Sequence, residues 1–99
     1  MRSNIGAELA RRGLELGAIR LNTREPFQWA SGYRMPIYND NRTYLQDPQA
    51  RAQIALGFSR ILEIISCSPD WIAGTATAGI PHATTLADQH GLPLCYVRG

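Results

Sequence analysis

Asp70-Trp71-Ile72-Ala73-Gly74-Thr75-Ala76-Thr77-Ala78-Gly79-Ile80-Pro81-His82-Ala83, with Gly91 and Leu94-Cys95-Tyr96-Val97 after it, is the stretch whose reading decides the fold. Asp70 to Ala73 begins a buried strand, with Asp70 a solvated entry residue, and the strand runs into the small-residue loop Gly74 to Gly79. A helix is expected from Ile80 or Pro81 to about His90, since proline suits a first helical turn and Gly91 supplies a stop. Leu94 to Val97 reads as the next strand, with Cys95 as a buried thiol. Strand, tight loop, helix, strand is a βαβ unit, which predicts parallel pairing in an α/β sheet.

Working outward, Asp47-Pro48 is the clearest helix start: aspartate can cap free amides, and proline has no amide to leave open there. Ile54, Phe58, Ile61, Leu62 and Ile65 then form a continuous apolar stripe, which predicts a helix lying on a sheet and ending by Ser68-Pro69. Nearer the start, Ser3 to about Leu16 reads as an amphipathic helix with Ile5, Leu9 and Leu16 on one side and Gly17 as its stop. Ala18 to Leu21 resembles a short strand. Phe27-Gln28-Trp29-Ala30 and Met35-Pro36-Ile37-Tyr38 suggest a hairpin turning at Ser31-Gly32-Tyr33-Arg34.

The whole chain has 99 residues, 44% hydrophobic and 18% charged, which fits one small soluble domain or a piece of a larger one. A chain of this length buries only about two-thirds of its unfolded surface, so a partner or a continuation is expected. The net charge of +2 is carried by dispersed arginines with no lysine anywhere. No basic stripe with interleaved aromatics exists, which argues against nucleic-acid binding, and any lysine-dependent step would need residues outside these. Two cysteines, no export signal and no apolar run near the ~20 residues of a membrane span point to a reduced, cytoplasmic protein without a membrane partner.

Two segments can carry chemistry. Small residues from Gly74 to Gly79, between a strand end and a helix start, let backbone amides approach an anion at the positive helix terminus. The same residues also suit a plain tight turn, and the loop matches neither the Walker A pattern nor the three-glycine dinucleotide pattern. The second segment, Phe27 to Arg42, is dense in aromatic, amide and guanidinium groups that could stack a flat heterocycle. Taken alone it reads more simply as a hairpin with an aromatic core face and a solvated polar end. His82 and His90 lack a cysteine or carboxylate at ligand spacing, so neither is expected to bind metal or act as a base.

The order and wording of the segments resemble orotate phosphoribosyltransferases. The resemblance runs through Ser31-Gly32, Pro36-Ile37-Tyr38-Asn39-Asp40-Asn41-Arg42, Ile72 to Ala83, and Leu92-Pro93-Leu94-Cys95-Tyr96-Val97-Arg98. The middle string is the most specific, being similar to the pyrophosphate loop of the family's bacterial branch. The implied fold is α/β of the type-I phosphoribosyltransferase kind: a Rossmann-like parallel sheet with flanking helices and an N-terminal hairpin hood, incomplete at the C-terminus. Residues 1–46 would be the helix and hood, and 47–99 the start of the α/β core.

The implied reaction moves ribose 5-phosphate from phosphoribosyl pyrophosphate to orotate, giving orotidine 5′-monophosphate and pyrophosphate, with Mg²⁺ bound alongside phosphoribosyl pyrophosphate. Thr75, Ala76, Thr77, Ala78 and Gly79 would hold pyrophosphate, and Ser31, Gly32, Tyr38 and Asn39 would face orotate. Arg98 matches the first arginine of the family's mobile catalytic loop, which reaches across a homodimer interface. No metal ligand is assigned within the chain. The resemblance also implies an unusual or cis peptide between Ala76 and Thr77.

One branch of the family has lysine where this chain has Ala30 and Ala78, so contacts made by those lysines are missing here. The rest of the mobile loop, the ribose phosphate signature and an orotate-binding arginine would lie beyond Gly99, so residues 1–99 alone are expected to be inactive. Two rivals stand beside this reading. One is a phosphoribosyltransferase acting on a purine or serving as a regulator, since the phosphate loop is generic. The other is a non-catalytic binding or dimerisation module that keeps the loop as a turn.

Overall fold

In a computed structural model, residues 4–99 are described. Helix α1, Ile5–Leu16, starts where the Asn4 side chain accepts the Ala7 amide and stops at Gly17, whose φ of 84° is the left-handed conformation that glycine reaches without Cβ strain. The expected start at Ser3 lies outside the described residues. Strand β1, Ile19–Leu21, follows, then β2, Phe27–Gln28, and β3, Arg34–Met35. These last two pair antiparallel, Phe27 opposite Met35 and Gln28 opposite Arg34.

The hairpin departs from the expected one in two ways. Its turn is closed by Trp29 N–H to Tyr33 O and Gly32 N–H to Trp29 O, both 2.8 Å, so Arg34 already belongs to the returning strand. That strand is also broken at Pro36, which has no amide to donate. Beyond it β4, Ile37–Asn39, leaves β3 and pairs antiparallel with β1. The Trp29 indole N–H donates to Ile37 O at 2.8 Å and holds the two pieces together.

A 3-10 helix, Asn41–Gln46, leads into α2, Pro48–Ile64. Asp47 starts α2 as expected, accepting the Gln49 amide on Oδ1 at 3.0 Å. It also takes Arg12 Nε on Oδ2 at 2.6 Å, tying α1 to the head of α2. Burial raises the Asp47 pKa, but the Gln49 amide, the Arg12 guanidinium and the Ala50 amide outweigh it and leave the carboxyl below its ordinary value. Tyr44 is buried between α1 and α2 with Ala18 and Ala50, its hydroxyl donating to Leu9 O at 2.7 Å. Helix α1 can sit this close because residue 13 is glycine: a Cβ there would overlap the Tyr44 hydroxyl.

The βαβ unit forms as read. Strand β5, Ile72–Thr75, pairs parallel with β6, Leu94–Val97, and α3, Ile80–His90, connects them and ends at Gly91. The core beneath it is Ile72, Ala83, Leu86, Ala87 and, from α2, Ala55. Three expectations change here. Helix α2 lies mainly against α3 and α1 rather than on a sheet, so the small Ala50 and Ala55 are buried while Phe58 and Ile61 stay 49% and 53% exposed. Strand β5 is buried on one face only, at Ile72 and Gly74, because α3 covers that face alone. Cys95 sits on the opposite face and is exposed, not buried.

Candidate functional site

The site is built at the end of β5. Gly74 and Gly79 let the strand end and the helix start meet at backbone distance. A Cβ on Gly74 would stand 2.9 Å from the Ala83 Cβ, and one on Gly79 would stand 2.8 Å from both the carbonyl oxygen and Oγ1 of Thr75. Both glycines are thus required by close approach, not by a positive φ. The Ala76–Thr77 peptide is cis.

Where the loop's amides go decides whether it can bind an anion. Ala76 N–H donates to Val97 O at 2.8 Å, Gly79 N–H to Thr75 O at 2.9 Å, and Ile80 N–H to Thr77 O at 3.2 Å. Among the described residues the amides of Thr77 and Ala78 have no acceptor. Gly79 caps α3 with no side-chain hydrogen bond, so the positive end of that helix is not capped by a side chain of its own cap residue. The loop is therefore more than a self-satisfied turn: two amides and a helix terminus remain for a ligand.

The loop opens on a cleft of about 780 Å³ whose other side is the end of the hood. Thr75, Ala78 and Gly79 line it from one side, Asn39 and Asn41 from the other, and Ile54, Phe58 and Leu86 give it an apolar floor. Of the four hood residues singled out in the sequence, Asn39 alone reaches this cleft. Ser31 and Gly32 lie at the hairpin turn. Tyr38 is half-buried against Phe27, ring centroids 5.8 Å apart, with the Arg20 guanidinium 5.6 Å over its face. Arg98 is exposed and follows Val97, whose carbonyl holds the Ala76 amide, so it leaves β6 one residue from the loop. No ion pair or hydrogen bond engages its side chain among the described residues.

Charge at the hood end of the cleft is already partnered. Arg42 grips the Asp40 carboxylate through Nε and Nη2, both at 2.9 Å, and this hydrogen-bonded guanidinium holds the Asp40 carboxyl below the usual range. Asn41 and His82 were not among the expected site residues. His82 Nε2 lies 3.0 Å from Asn41 O, a contact across 41 positions that no local periodicity announces.

No protein-family model matches the chain. It is 48% identical over 90 residues to the orotate phosphoribosyltransferase of Bacillus subtilis strain 168, covering 91% of this chain and 42% of that protein. The Bacillus mycoides orotate phosphoribosyltransferase is 46% identical over 91 residues, 92% of this chain and 43% of that one. The chain thus spans less than half the length of these curated relatives. Among solved structures, Aeropyrum pernix orotate phosphoribosyltransferase superposes with a TM-score of 0.75 at 29% identity over 91% of this chain and 52% of its own. Leishmania donovani UMP synthase gives 0.77 at 27% identity, over 92% of this chain and 19% of its own. In sequence over about nine-tenths of its length and in fold, the chain is similar to the partial stretch of the orotate phosphoribosyltransferases that it covers.

Proposed function

We propose that the protein to which these residues belong transfers ribose 5-phosphate from phosphoribosyl pyrophosphate to orotate, releasing pyrophosphate and forming orotidine 5′-monophosphate. The observation that carries this is the cleft lined by Thr75, Ala78 and Gly79 of the loop, whose Ala78 amide has no acceptor among the described residues, and by Asn39 and Asn41 of the hood. Pyrophosphate, on this reading, sits against Thr77 and Ala78 at the head of α3, and orotate sits on the hood side. As the bond from C1 of the ribose to pyrophosphate lengthens, negative charge gathers on the departing group. Fixed amides and the Arg98 guanidinium are then worth more than in the bound substrate, which is how they would lower the barrier.

Among the described residues no three His, Cys, Asp or Glu side chains stand together to hold a metal ion. Mg²⁺ is taken as arriving on phosphoribosyl pyrophosphate, its charge offsetting that of the diphosphate. The working form is taken as a homodimer, in keeping with the exposed apolar residues Ile61, Ile64 and Ile65. The test is the full-length protein assayed with phosphoribosyl pyrophosphate and a panel of orotate, uracil, adenine and hypoxanthine. Orotidine 5′-monophosphate as the dominant product is expected. A purine nucleotide would replace this reading with the purine one, and no product with any base would leave a binding module.

A further inference from the structure

Residues 4–46, which carry the hood, and residues 66–99, which carry the phosphate loop, face each other across the cleft. Among the described residues one hydrogen bond joins them directly: His82 Nε2 to Asn41 O, 3.0 Å. No strand pairing and no ion pair crosses between the two segments. A carbonyl oxygen only accepts, so Nε2 carries the proton and donates. Nδ1 is shut off from solvent and has no partner among the described residues, so this bond is the ring's one hydrogen bond there.

Both ends of the bond are well placed to transmit position. His82 stands in the first turn of α3, three residues after Gly79, and lines the cleft beside Ala78 and Gly79. Asn41 opens the 3-10 helix two residues after Asn39, and its neighbours are held hard: Asp40 N–H donates to Ala18 O at 2.7 Å, and Arg42 N–H to Asp40 Oδ1 at 3.0 Å. A displacement of the Asn41 carbonyl is therefore carried into β4 and Asn39 rather than absorbed locally. Resting on the transferase reading above, we infer that His82 is a positioning residue that fixes the spacing between the acceptor-base side of the cleft and its pyrophosphate side. It touches neither reacting atom. Its effect falls on the flat heterocyclic acid, which must be held by the hood at reacting distance from a sugar anchored on the loop.

The test uses the full-length protein and three variants. His82→Ala removes the ring, His82→Phe keeps its bulk without a donor, and His82→Gln restores an N–H near the position of Nε2. The alanine and phenylalanine variants should raise KM for orotate about three- to tenfold, the range of one lost hydrogen bond. Pyrophosphate binding, measured alone by calorimetry, should stay close to wild type, because the loop amides are untouched. The glutamine variant should recover most of the loss. Unchanged orotate KM in both donor-less variants, equal losses for orotate and pyrophosphate, or no recovery with glutamine would overturn the assignment. Should the wild type lack transferase activity, the reading of function fails by itself, and the latch is judged by amide exchange over residues 39–42. Faster exchange there in the donor-less variants and native exchange with glutamine support it, and unaltered exchange removes it.

Discussion

Gly79 lies so close under Thr75 that the Thr75 carbonyl oxygen and Oγ1 would each stand 2.8 Å from a Cβ at position 79. One of those atoms is backbone at the end of β5, and the same oxygen accepts the Gly79 amide at 2.9 Å. Gly79→Ala must therefore push the head of α3 away from the strand. We expect a loss of about 1–3 kcal/mol in stability, the usual cost of overpacking, measured by denaturant unfolding of the full-length protein. Pyrophosphate affinity should fall with it. In wild-type protein, added pyrophosphate should shift the amide resonances of Thr77 and Ala78 more than that of Ala76, which Val97 already holds; equal shifts would place the anion elsewhere.

Arg98 should show the opposite balance. Its side chain is exposed and unengaged, so Arg98→Ala should leave the melting temperature within a degree or so while lowering turnover about a hundredfold, the size of one lost transition-state contact. A variant that turns over normally would remove Arg98 from the mechanism.

Tyr38 and Asn39 are adjacent and should separate. Asn39 lines the cleft, so Asn39→Ala should weaken orotate more than phosphoribosyl pyrophosphate. Tyr38 packs on Phe27 and under Arg20, so Tyr38→Ala should cost stability, with about 0.5–1.5 kcal/mol from the aromatic pair beyond lost burial, and should affect orotate only through the hood. Isothermal calorimetry with each substrate distinguishes the two variants; an orotate loss larger for Tyr38→Ala than for Asn39→Ala would return Tyr38 to the pocket wall.

Asp47 sets a pH dependence. Its carboxyl lies below its ordinary 3.8 in the folded protein, so its ionised form is favoured by folding. The resulting stability is fully present above the unfolded value and is lost as pH falls through the folded one. Asp47→Asn should therefore melt lower than wild type near neutral pH, with the gap closing below about pH 4. A gap that stays constant through the acid range would mean that the Arg12 contact contributes nothing.

The parts legible in the sequence were those written in local chemistry. Asp47-Pro48, Gly17 and Gly91 mark helix ends because caps and left-handed turns depend on neighbours only, and the strand-loop-helix-strand order of residues 72–97 follows from short-range patterning. What could not be read depends on distant contacts. The side of α2 that is buried was misread because its small residues, Ala50 and Ala55, make the close approach to α1 and α3, while Phe58, Ile61 and Ile65 of the apolar stripe stay exposed. Cys95 is exposed because, among the described residues, nothing covers the second face of β5 and β6, which composition cannot announce. The tight loop from Gly74 to Gly79 forms between strand and helix where the pattern put it. Which of Tyr38 and Asn39 lines the cleft hangs on the strand break at Pro36, and the His82 contact is made to a carbonyl 41 positions away, neither of which local patterning announces.

Helix α2 is the element on which both halves of the chain rest, touching α1 and the 3-10 helix on one side and α3 on the other. With one hydrogen bond joining the halves directly, cooperativity of unfolding should run through that helix. Its loosening would let the hood and the βαβ unit open as separate units of exchange, each with its own free energy, instead of one. Small-to-large changes at Ala50 or Ala55 would thus be felt less as a lowered melting point than as a second transition in the unfolding curve.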